Sequence, residues 1–271
     1  MGATTRAAAL NGQQWIGGIY PPGDARLHWA ARQISDLHER YSVAWYGEVT
    51  PALGLTDGAD VETWQATIGT SPTQPTISKR PEYSSAWPSI AFDDVGEALI
   101  SPLDLSASNT ACAFIVADRA AGMSAAFRVL LEHGRYYVSA TGFSIFAHPT
   151  NERIYVGIGT AGDYQDAYWD GYGSGRHVYA FTADASAGAG AQIRGWIDGV
   201  EVAPTATSGT GMAGSFGNDS IYIGARSDGA GGLERPMNGN VRAAIALASI
   251  PTDEEIALVS HALAVRAGVA I

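Results

Sequence analysis

Residues 194 to 202 read RGWIDGVEV, two short β-type runs joined at Asp198-Gly199. A two-residue type I′ turn needs positive φ at both central positions, and Asp-Gly adopts that conformation with little strain. The stretch is therefore a β-hairpin. Downstream follow a Gly-rich loop, SIYIGA at 220–225, MNGNVRAAIALA at 237–248 and a capped helix beginning at Thr252. Thr252 and Glu255 have the spacing of a capping box, in which hydroxyl and carboxylate each satisfy an N–H that has no intrahelical partner. Ile256, Val259 and Leu263 then share one helical face, and Gly268 supplies the stop.

Upstream of the hairpin the pattern is also β. Runs at 42–47, 61–66, 88–93, 110–118, 125–134, 135–140, 143–148, 153–159 and 176–184 are rich in β-branched and aromatic residues. Gly, Pro, Asn or Asp separates nearly all of them. No helical periodicity lies between these runs, which excludes a parallel α/β sheet and predicts a two-sheet sandwich. Hydrophobic residues make up 46% of the 271, enough for a core, while 33 Gly and 12 Pro cut the chain into short elements.

Acidic residues exceed basic ones, giving a net charge of -11, and no Lys/Arg cluster offers counter-charge to a phosphate backbone. Nucleic-acid binding is not expected. Cys112, the single cysteine, sits in the apolar run ACAFIVAD and predicts a buried thiol. MGATTRAAALNGQQWIGG lacks the apolar core of a signal peptide, and no stretch reaches the length of a membrane span. These features predict synthesis in a cytoplasm without export and no membrane insertion.

Residues 1–23 are small, polar and Gly-rich and predict an arm. From Asp24, Leu27, Ile34, Leu37 and Tyr41 recur at helical spacing and predict an amphipathic helix. Residues 1–40 are thus expected to attach the domain formed by residues 41–271 to partner chains.

From about Tyr41 onward the order of parts resembles the laminin-G-like, concanavalin A-like jelly roll of bacterial surface proteins and tailed-phage structural proteins. The stretches that carry the resemblance are AWYGEV, DGADVETWQ, RPEYSSAWPSIAFDD, TACAFIVAD, IRGWIDGVEV, SIYIGAR and the run from MNGNVRAAIALA into the last helix. It implies an all-β, antiparallel jelly-roll β-sandwich with an N-terminal arm and helix and a C-terminal helix. Trp64 would open the sandwich, Phe92 would pack inside it and the last helix would close one edge. It also implies a non-enzymatic virion component, such as a capsid decoration, head fibre or tail part, that assembles as a homo-oligomer. The alternatives are a carbohydrate-binding or adhesion module for host glycans and a glycoside hydrolase of the same fold.

The residues themselves offer little catalytic machinery. The E-x-D-x-x-E run that would aim alternate acids into one cleft is missing, Glu62 and Glu97 stand singly, and the six His are scattered. Two G-x-G-x-x-G matches, at Gly157, Gly159, Gly162 and at Gly209, Gly211, Gly214, precede no helical pattern and predict no phosphate site. The candidate ligand site is GDYQDAYWDGYGSGR, 162–176, read as a loop carrying Tyr164, Tyr168, Trp169 and Tyr172 beside Asp166. Aromatic faces can stack on sugar rings while carboxylates accept hydroxyl hydrogen bonds, and the same residues can anchor a protein partner. Asp163, Asp166 and Asp170 are candidate ligands for a structural Ca²⁺, as are Asp57 and Asp60, although no EF-hand spacing occurs.

Overall fold

The computed structural model describes residues 41–46, 55–119, 127–136, 141–148, 152–160 and 162–269. The expected arm and helix over 1–40 lie outside these residues, as does most of the strand expected at 135–140. In chain order the strands are β1 (Val43–Tyr46), β2 (Ala66–Ile68), β3 (Glu82–Ser84), β4 (Ser89–Asp93), β5 (Leu99–Asp104) and β6 (Thr110–Arg119). They continue with β7 (Arg128–His133), β8 (Gly142–His148), β9 (Arg153–Gly159), β10 (Tyr164–Asp170), β11 (Gly175–Asp184) and β12 (Ile193–Ile197). The last are β13 (Val200–Val202), β14 (Ala206–Gly209), β15 (Asn218–Ile223), β16 (Arg226–Ser227), β17 (Leu233–Glu234) and β18 (Asn238–Leu247), followed by helix α1 (Asp253–Ala267).

These strands build an antiparallel jelly-roll β-sandwich. The first sheet runs β13-β12-β11-β6-β18-β1-β2, with β4 pairing the first half of β18 and β3 pairing β4. The second runs β14-β10-β9-β8-β7-β15-β5. Asp198 and Gly199 have φ of 53° and 85°, and Ile197 pairs with Val200, as the hairpin requires. Asp198 does more than turn the chain: its carboxylate accepts the Val178 N–H at 2.8 Å and lies 2.7 Å from His177 Nδ1.

The first sheet is apolar on both faces. Ala111, Ala113, Ile115 and Ala117 of β6 point into the core between the sheets, while Cys112, Phe114 and Val116 point outward beneath α1. A strand that reads as a continuous apolar run must be covered on both sides. The helix supplies the second cover with Ile256, Val259 and Leu263, each worth about 1.5–3 kcal/mol on burial. It thus lies across the face of the first sheet instead of closing an edge.

Both helix ends are fixed. The Thr252 hydroxyl accepts the Glu255 N–H at 3.2 Å, the Glu255 carboxylate accepts the Thr252 N–H at 2.8 Å, and Gly268 is left-handed at φ 67°. Arg194 of β12 donates two 2.8 Å bonds to Asp253 and one to Glu201, pinning the N-terminal turn to the hairpin. At the other end the Trp87 indole donates to the Ala267 carbonyl at 2.8 Å.

Three expectations change. The segment 61–66 is not a strand. Val61 and Trp64 are buried, but their N–H groups bond Pro81 and Pro72 carbonyls, and prolines have no N–H with which to return a ladder. Trp64 therefore reaches the core from irregular chain just before β2, while Phe92 packs inside from β4. The segment 162–176, read as a loop, contains strand β10. Strand β5, unassigned in the sequence, forms the far edge of the second sheet.

Candidate functional site

β10 carries YQDAYWD, and its side chains alternate between solvent and core. Gln165, Ala167 and Trp169 are buried, whereas Tyr164, Asp166 and Tyr168 are half-buried and Asp170 is exposed on the outer face. Trp169 is 2% exposed and its indole donates to the Val202 carbonyl at 2.8 Å. It is a core residue and presents no ring to a ligand. Tyr172 lies past the strand, where its carbonyl accepts the Tyr179 hydroxyl at 2.6 Å and its ring meets His177 edge-on. The structure thus keeps Tyr164, Asp166 and Tyr168 together and removes Trp169 and Tyr172 from them.

The outer face gathers residues that sequence reasoning missed. Register places Val129 opposite Phe146, Phe146 opposite Tyr155, and Tyr155 opposite Tyr168, one row crossing β7, β8, β9 and β10. Phe146 stacks on Tyr155 at 5.1 Å with planes 11° apart, and Tyr155 meets Tyr168 at 5.2 Å. Phe127 sets its edge against Phe146 and Tyr155 and remains 38% exposed. Such cross-strand aromatic pairs stabilise a sheet; here Phe146 is buried beneath its neighbours, and Tyr155 and Tyr168 keep part of their ring surface open to solvent. In each strand the signal was alternation of apolar and polar positions, but nothing local specified which of the two sets would be solvent-facing.

Arg153 lies 4.3 Å over the Tyr168 ring and donates to Asp170 at 2.5 Å. Hydrogen bonds to Tyr155 and then to Asp170 hold its pKa above the ordinary guanidinium value. His148, paired with Arg153 in register, has its pKa lowered by partial burial and by the Arg153 charge. The face is a row of stacked rings bordered by fixed polar groups, an arrangement that can hold the apolar side of a ring-shaped ligand and bond its hydroxyls.

The candidate Ca²⁺ ligands are not brought together. Asp166 and Asp170 are four residues apart on an extended strand, about 13 Å. Asp163 accepts the Thr210 hydroxyl at 3.2 Å, and Asp57 accepts the Ser85 N–H at 2.7 Å. Among the described residues no three His, Cys, Asp or Glu side chains converge as a metal site would need. The two Gly motifs lead into β10 and β15 and into no helix.

Two other titratable groups stand apart from this face. Glu97 accepts the Asp93 N–H at 2.8 Å, and burial pushes its carboxyl up to about 7. His133 is buried, contacts the Leu103 carbonyl through Nε2 at 2.8 Å and leaves Nδ1 without a partner. Burial lowers its pKa.

No protein-family model matches the chain, and no curated protein matches it. Solved structures do. The binding domain of botulinum neurotoxin serotype D superposes with a TM-score of 0.51 at 8% identity, covering 85% of this chain and 53% of that one. A botulinum neurotoxin type C structure, described as depending on two ganglioside molecules for cell entry, gives 0.53 at 10% identity, again over 85% and 53%. The likeness is one of fold. This chain spans about half the length of those neurotoxin chains. The carbohydrate-binding module CBM40 of the Ruminococcus gnavus IT-sialidase, bound to α2,3 sialyllactose, matches over 63% of this chain and 96% of its own, at 14% identity and a TM-score of 0.44.

Proposed function

We propose that this chain is a non-catalytic carbohydrate-binding module whose glycan lies on the outer face of the second sheet. The observation that carries the reading is the half-buried ring pair of Tyr155 and Tyr168 on the outer face, backed by the buried Phe146 and bordered by Arg153, Asp166 and Asp170. Of the neurotoxin structures that share the fold, the type C one is described as depending on two ganglioside molecules for cell entry. That description supports a glycan reading without extending to this chain's ligand. Hydrolysis is disfavoured by spacing. Acid pairs that cleave glycosides sit about 5–9.5 Å apart, whereas Asp166 and Asp170 are farther apart along the strand and Asp170 is tied to Arg153.

A virion role was the first expectation from the sequence. The structural likenesses support the fold and glycan recognition and add nothing for a particle, while attachment through residues 1–40 falls outside the described residues. Glycan recognition is therefore the reading adopted. A printed glycan array probed with the full chain tests it directly. Retention on specific glycans that disappears in Tyr155→Ala and Tyr168→Ala is the expected result; a folded chain retained by none overturns the reading.

A further inference from the structure

We propose that the outer face of the second sheet selects uncharged glycans and discriminates against those bearing a carboxylate. This rests on reading that face as a glycan site. Tyr168, the most central ring on β10, has Asp166 and Asp170 two residues away on either side, on the same face of the strand. In extended backbone each is about 7 Å away from Cα to Cα, so a sugar stacked on Tyr168 meets a carboxylate at both ends.

An acidic sugar would need an unspent cation within reach of that ring. Among the described residues the guanidinium over that ring is Arg153, and it is already engaged with a carboxylate. Its Nε donates to Asp170, and its Cζ lies 4.3 Å from the centre of the Tyr168 ring. This charge-assisted bond partly neutralises the cation, and Asp170 is the carboxylate with which a sugar acid would compete for it. His148, the neighbouring imidazole in register with Arg153, favours its neutral form because of burial and the adjacent guanidinium. Asp163 adds another carboxylate just before β10, and the chain as a whole carries a charge of -11, which lowers the local concentration of anions. Neutral hydroxyls suffer none of this repulsion and can donate to Asp166 while the ring stacks on Tyr155 and Tyr168.

The experiment uses an array that prints the same oligosaccharides with and without terminal sialic acid, together with neutral polysaccharides, probed with the full chain at low and moderate salt. The expected result is retention of the uncharged forms by about tenfold or more over their sialylated counterparts, a gap that narrows as salt screens the carboxylates. Asp170→Asn, which removes one carboxylate and releases Arg153, should shrink the ratio while leaving the thermal unfolding curve close to that of the parent. Equal or stronger retention of the sialylated forms, or a ratio unmoved by Asp170→Asn, overturns this inference and leaves glycan binding standing. Retention of no glycan by the folded chain overturns both.

Discussion

Trp169 of β10 packs its indole directly against Gly195 of β12, across the gap between the two sheets. A Cβ placed on Gly195 would lie 2.9 Å from Cε2 and Cη2 of the ring, closer than carbon atoms approach. Gly195→Ala should therefore displace the indole and cost about 1–3 kcal/mol by overpacking, read as a lowered urea midpoint with an unchanged slope. Trp169→Ala should cost about 3–5 kcal/mol by leaving a cavity. A binding defect in that variant accordingly reports damage to the core, and an unchanged midpoint in either variant would contradict the packing described.

Tyr155→Ala and Tyr168→Ala act on the opposite side of the same sheet. Each removes one partner of a cross-strand ring pair that is partly exposed, so stability should change by less than about 1 kcal/mol. Glycan retention should nevertheless fall below detection. Isothermal titration alongside thermal unfolding separates the two effects, and a variant that binds normally would remove that ring from the site.

Thr252→Ala takes away the hydroxyl that accepts the Glu255 N–H, and Glu255 loses its reciprocal geometry. A loss of about 1 kcal/mol is expected. Because α1 covers the outer side of β6 and β11, hydrogen exchange should accelerate at Phe114 and Val178, beneath the helix, before it does at Ile145 in the second sheet. Uniform acceleration across both sheets would show that the helix does not behave as a separate cover.

His133 and Glu97 give stability two opposed pH dependences. His133 has a folded pKa below its ordinary 6.5, so below that pH the unfolded chain gains a proton that the folded chain refuses. Its contribution is present above 6.5 and is lost as pH falls, by at most about 1.4 kcal/mol per pH unit. Glu97 has a folded pKa of about 7 against an ordinary 4.5, so its contribution is present in acid and is lost as pH rises from 4.5 through 7. Between 4.5 and 6.5 the two slopes oppose each other. Glu97→Gln keeps an acceptor for the Asp93 N–H and removes the second slope. The variant should be more stable than the parent at pH 8, equal to it near pH 4, and should gain more stability than the parent as pH rises between those values. Urea midpoints measured at half-unit pH steps check this, and parallel curves for parent and variant would refute it.

Much of the fold was legible because its signals are local. Asp198-Gly199 needs only two φ angles to declare a turn, and Thr252 with Glu255 needs one helical turn to declare a start. The candidate site was legible only in part. DYQDAYWD was assigned to a loop because its Asp and flanking Gly residues are turn formers, although Gln165, Ala167 and Trp169 alternate with Tyr164, Asp166 and Tyr168 as a strand requires. Phe146, Tyr155 and Arg153 went unrecognised because they belong to other strands.

By itself the sequence determined that this chain forms antiparallel β structure, where its hairpin turns and where its last helix begins and ends. Those outcomes depend on backbone dihedrals and hydrogen bonds between residues a few positions apart. Only the tertiary structure decided that Trp169 is buried in the core and Tyr168 half-buried on the outer face, that α1 lies over a face, and that rings from β8, β9 and β10 form one row. Alternation divides a strand into two sets of side chains but is symmetric between them. The choice of which set meets solvent is made by the sheet that packs against the strand, and the choice of neighbours is made by register with strands distant in the chain.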